Sequence, residues 1–122
     1  MLPAAGGVDG CVIAVALDLA KDPEKESKFM AALASNNHGS VPIHIAAIRS
    51  LNAAYGTDFS EKDYSDHSVL RESMKGQVGE YLASHFKCPL PLHSGMELTF
   101  LELLARKAES RIKIAKGIYR SD

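Results

Sequence analysis

The chain has 122 residues, 46% hydrophobic and 24% charged, with 14 basic against 15 acidic side chains. This composition suits one compact domain with a real core and excludes a fibrous or disordered chain. The near-neutral charge argues against a protein that binds polyanions through a strongly positive surface.

Residues 1–7 read as a flexible leader and residues 8–122 as a single helical domain. From 12 to 19 the large residues Ile13, Val15, Leu17 and Leu19 alternate with smaller ones, which fits a strand. The alanines and Asp9 as an N-cap fit a helix, and the helix is preferred. No run is long enough to span a membrane: the longest apolar stretch, 11–17, ends at Asp18. It also has no positive segment before it, so it makes a poor secretory signal.

Asp22, Pro23, Glu24 and Glu26 spell a helix start, because the cap accepts free amides, proline suits the first turn and acids suit the positive helix end. A helix over 23–34 follows. Ser40 with Pro42 opens another, over 41–55, with Val41, Ile45, Ile48 and Tyr55 on one side and Gly56 as its C-terminal cap. The polar stretch 57–68 reads as a long connection. A fourth helix is expected over 68–86, until the prolines at 89 and 91 break it.

The last helix, expected over at least 96–108, is the most regular. Ser94 and Glu97 match a capping box, and Leu98, Leu101, Ala105, Ala108, Ile112, Ala115 and Tyr119 recur at heptad steps. The expected fold is therefore all-α, a bundle of four or five helices. The alternative is an α+β fold with a short hairpin near 90–100 or 111–120, where alternation about Ser-Gly or Lys-Gly also occurs.

Few residues point to chemistry. His85, Cys88 and His93 place three soft donors within nine positions, which zinc would accept with a fourth ligand from elsewhere. The plainer reading gives His85 to the helix end, Cys88 to packing and His93 to a loop. Asp63, Asp66, His67 and Ser68 gather acid-base groups, but such runs more often cap a helix. Gly76 and Gly79 form a G-x-x-G of the kind that clamps a nucleic-acid backbone; Glu80 beside it repels phosphate, and close helix approach is the better reading.

Arg71 and Lys75 are sparse for the recognition helix of a winged-helix binder. The basic residues Arg106, Lys107, Arg111, Lys113, Lys116 and Arg120 give positions 105–122 a net charge of plus 4, more often a solvated face than a DNA contact. Cys11 and Cys88 form no C-x-x-C pattern, so a reducing cytoplasm is the simpler setting.

No motif names a reaction. The preferred function is a protein-interaction or regulatory module acting through its surface and self-associating through the last helix, at Ile112, Ala115 and Tyr119. An Ile112→Glu change tests that contact. The rival readings are a small enzyme or metal protein built on the 85–93 loop, and a winged-helix-like nucleic-acid regulator. A deep polar pocket holding two or more of His44, His67, His85 and Asp66 would favour the enzyme.

Overall fold

The computed structural model describes residues 7–64, 76–86, 88 and 94–119. They form five α-helices and one 3₁₀ turn, with no strand among the described residues: α1 (Gly7–Lys21), α2 (Pro23–Ser35), α3 (Ile43–Tyr55), the 3₁₀ turn Glu61–Tyr64, α4 (Gln77–His85) and α5 (Ser94–Tyr119). The fold is the expected all-α bundle.

In α1 helical periodicity prevails over alternation. Val8, Cys11, Val12, Val15, Ala16 and Leu19 are buried, a set spaced by three and four that only a helix brings to one side. Ile13 and Leu17, which made the strand pattern, lie half-buried on its flanks. Residues 1–6 lie outside the described residues.

Asp22 caps α2 as its sequence demands, accepting from the backbone N–H groups of Glu24 at 3.1 Å and Lys25 at 3.2 Å. Helix α3 begins two residues later than expected. Pro42 is its N-cap, without a side-chain bond, and Ser40 Oγ is hydrogen-bonded to His38 Nδ1 at 2.7 Å. Gly56 does close α3, in the left-handed conformation at φ 66°, where a Cβ would be strained.

Only 77–85 of the helix expected over 68–86 is helical among the described residues, as α4; positions 68–75 lie outside them. Both hairpin alternatives fail where described, since α5 runs unbroken from Ser94 to Tyr119, about 39 Å at 1.5 Å per residue. Its periodicity serves a buried face: Phe100, Leu101, Leu104 and Ala108 are fully buried. Each large member contributes about 1.5–3 kcal/mol of transfer free energy.

Helix α5 packs mainly on α1 and then on α3, while α2 packs chiefly on α3. Polar ties hold the layers in place. Tyr55 Oη donates to Asp18 at 2.7 Å, joining α3 to α1. Asn52 holds the connection after α3, accepting from Thr57 Oγ1 and the Phe59 N–H and donating to the Phe59 carbonyl.

Arg49 reaches both ways from α3. Its Nε and Nη2 donate to the two Glu61 oxygens at 2.9 and 3.0 Å, and its Nη1 to Asn36 Oδ1 at 2.7 Å. The bidentate bonds hold the Glu61 carboxyl below its ordinary value. A depressed pKa stabilises the fold above the ordinary value of 4.5 and ceases to do so as pH falls through the folded one. Both side chains are about 40% exposed, so screening keeps the contribution below about 1 kcal/mol. Glu61→Gln should be less stable than wild type by that small margin in urea melts at neutral pH and equal to it in acid. A gap that widened in acid would contradict this.

Candidate functional site

Two features stand out beyond the core: an open groove between α2 and α5, and a buried polar cluster beneath α4.

The groove exists because α2 leans on α3 and barely meets α5. A cavity of about 410 Å³ opens there, with an apolar floor of Met30, Leu33, Val41, Ile43, Ala46 and Ala105. Asn37, His38 and Arg106 lie on its polar rim. A second cavity of about 240 Å³ shares Met30 and Glu109 with the first and continues along α5 past Ile112 to Lys116. There Lys116 Nζ donates to Glu26 Oε2 at 2.6 Å, tying the distal part of α5 to α2. Glu109 pairs with Lys113 at 3.6 Å. Arg106, exposed on the rim, has no partner among the described residues. The groove is thus apolar below, with its carboxylates already matched by lysines and one guanidinium to spare.

The polar cluster is built from three elements. Glu97 on α5 is 0% exposed and Tyr64, closing the 3₁₀ turn, 1%. Tyr64 Oη donates to Glu97 Oε1 at 2.5 Å, and Glu97 Oε2 accepts from the Gly76 N–H at 2.6 Å. Tyr64 Oη in turn accepts from the Val78 N–H at 3.2 Å. Burial first, and the Glu97 carboxylate second, push the Tyr64 phenol well above its ordinary pKa.

Glu97 therefore caps a helix other than its own. Its negative charge sits at the positive end of α4, where free amides need acceptors. The side chain of Ser94, the other half of the expected capping box, lies outside the described residues. Gly76 makes the approach possible: a Cβ there would lie 2.7 Å from Tyr64 Oη and 2.8 Å from Glu97 Oε1. Below, His44 Nε2 is 2.6 Å from the Tyr64 carbonyl, which can only accept, so Nε2 carries the proton.

No protein-family model, curated protein or solved structure matches this chain. The residues singled out from the sequence are therefore judged by position alone. Cys88 is buried, as is Cys11. His85 is exposed, stacked on Tyr81 at 3.9 Å between ring centroids, its Nδ1 3.1 Å from the Tyr81 carbonyl of its own helix. His93 lies outside the described residues, among which no three metal-binding side chains come together. Asp63 is exposed, and Asp66, His67 and Ser68 lie outside the described residues, as do Arg71 and Lys75. The hairpin needed as the wing of a winged-helix binder is replaced from Ser94 onward by α5.

The expected oligomer contact needs correction. Ile112 and Ala115 are 3% and 2% exposed, closed in by the chain's own helices where Lys116 bonds to α2. The side chain of Tyr119 lies outside the described set. The exposed large apolar residues of α5 are instead Ile114 and Ile118, at 47% and 43%. Both fall outside the heptad set. The groove itself had no signal in the sequence, because it arises from two helices failing to meet.

Proposed function

We propose that the protein is a small helical interaction module that holds a segment of a partner protein in the groove between α2 and α5. The bound segment presents two or three apolar side chains at helical spacing to the floor and an acidic residue to Arg106. The observation that carries this reading is the set of apolar side chains lining the groove, Met30, Leu33, Val41, Ile43, Ala46 and Ala105, beside a cation that has no partner among the described residues. The groove contains neither His44 nor His85, so the described residues supply no histidine pair of the kind an acid-base enzyme would use there. A reducing compartment, the cytoplasm by preference, fits the two free thiols in the core. No helix among the described residues is long and apolar enough to cross a membrane.

Self-association is the second reading, carried by Ile114 and Ile118, one turn apart on the outward side of α5.

A random peptide library displayed on phage and panned against the wild-type chain tests the groove. Enriched peptides should combine apolar residues at i and i+3 or i+4 with a nearby Asp or Glu. Their affinity should fall at least about tenfold, about 1.4 kcal/mol, for Ala105→Trp, which fills the floor, and for Arg106→Glu, which reverses the rim charge. Peptides that bind both variants as well as wild type would defeat the proposal. Sedimentation of the wild type beside Ile114→Ser/Ile118→Ser decides the second reading: a wild-type monomer at high concentration ends it, and a dimer abolished by the double change sustains it.

A further inference from the structure

The outward side of α5, along its C-terminal half, carries charge of one sign. Lys107, Arg111, Ile114 and Ile118 follow one another at steps of four, three and four, which sets them in one row along the helix. Arg106, Ser110, Lys113 and Gly117 make the adjoining row at the same steps. Arg111 is half-buried and the others are exposed. The two rows hold four cations and no acid. On their flank Glu109 pairs with Lys113 at 3.6 Å, an exposed contact that solvent screens.

The isoleucines matter as much as the charge. Ile114 and Ile118 are the large apolar side chains that the described surface leaves open, at 47% and 43% exposure, and they stand in line with two of the cations. The face is convex. Both cavities described above open toward α2, and of the two rows only Arg106 and Lys113 reach their edges.

We propose that this face seats the protein on an anionic lipid surface. Ile114 and Ile118 enter the boundary between headgroups and acyl chains, while Lys107, Arg111 and Lys113 meet the phosphates and carboxylates of the headgroups. The long stems of lysine and arginine let the charges stay at headgroup level as the isoleucines go deeper. Contact is peripheral, since no helix among the described residues is long and apolar enough to cross a membrane.

Charge selects this occupant. Positions 105–122 carry a net plus 4 in a chain of net minus 1, so the rest of the molecule is negative; an anionic layer attracts α5, repels the remainder and thereby orients the protein. Two copies joined through this face would set cation against cation. A nucleic acid would satisfy the cations and leave two isoleucines against phosphate. A flat anionic layer with an apolar interior receives both kinds of side chain at once.

The test sediments the full chain with vesicles of phosphatidylcholine containing about 30% phosphatidylserine, beside vesicles of phosphatidylcholine alone. Binding should require the anionic lipid and weaken at least about tenfold between about 0.1 M and about 0.5 M salt. Lys107→Glu/Lys113→Glu should weaken it at least about tenfold and Ile114→Ser/Ile118→Ser at least about fivefold, with circular dichroism unchanged because the altered side chains are exposed. The chain has no tryptophan, so Ile118→Trp adds a single reporter, whose emission should shift to the blue on the anionic vesicles. If a variant does not fold, the lipid and salt dependence of the wild type decides alone. Wild type that ignores the anionic vesicles, or binds both kinds equally, would overturn the proposal. So would retention by polyglutamate or an oligonucleotide without binding to vesicles, or a lipid-free dimer that the isoleucine changes abolish.

Discussion

Glu97→Ala should remove at least about 3 kcal/mol of stability, the largest loss expected from any single polar residue of this chain. The substitution deletes an acceptor that serves the Tyr64 hydroxyl and the Gly76 amide together. The buried Tyr64 hydroxyl would be stranded at a cost of about 1–3 kcal/mol, the part-buried Gly76 amide would lose its acceptor, and the side chain would leave a space behind. Glu97→Gln keeps the shape and one acceptor oxygen, yet its amide nitrogen would face a donor, so an intermediate loss is expected. Gly76→Ala attacks the same cluster from the other side, since its Cβ would press on Tyr64 Oη and Glu97 Oε1 and neither buried side chain has free space to retreat into. Urea melts of the three variants check the order. A Glu97→Ala protein as stable as wild type would show that the cluster does not hold α4.

Ile112→Glu should unfold the protein or cost it more than about 3 kcal/mol. Judged from the heptad pattern, the change places a charge in a contact between subunits and yields a folded monomer. Judged from the fold, it places that charge at a position 3% exposed inside the chain's own core, where no cation is there to receive it except lysines already engaged: Lys113 with Glu109 and Lys116 with Glu26. An unpaired carboxylate taken out of water is among the few single changes that exceed the usual mutational range. Circular dichroism during thermal unfolding measures it. A variant that melts cooperatively within a few degrees of wild type would return Ile112 to the surface.

The two cases mark what the sequence could and could not convey. Asp22 with Pro23, and Gly56, announce helix ends through interactions within a few residues, so pattern reading finds them. The phase of α5 was legible in part: Leu101, Ala108, Ile112 and Ala115 of the heptad are buried, while Leu98 and Ala105 are half-buried and Phe100 and Leu104, outside the heptad, take places in the core. What faces that phase was not: a heptad says that a stripe is buried and is silent on whether the cover is another chain or the same one. Glu97 holds more than a local rule conveys: its place three residues after Ser94 suggests a capping box, while its described partners, Tyr64 and Gly76, lie 33 and 21 positions away.

The attachment of α4 has a consequence for how the molecule breathes. A helix of nine residues does not persist by itself in water, and this one meets the long helix in few places. It contributes Val78 and Leu82 to the core and sets Tyr81 against Tyr55 and Phe59, and is otherwise held at its start by Glu97 and the Tyr64 hydroxyl and closed at its end by the Cys88 N–H on the Leu82 carbonyl. The polar anchors at its start converge on one cluster, so losing Glu97 frees the first turn at once. The amides of α4 therefore belong to a cooperative unit that opens to solvent at a lower free energy than the amides of α1 and α5, whose faces are buried along their length. Amide hydrogen exchange in this protein proceeds from α4 before the rest of the bundle, and the aromatic surface beneath it, where Tyr81 meets Tyr55 and Phe59, is the first part of the interior to see water.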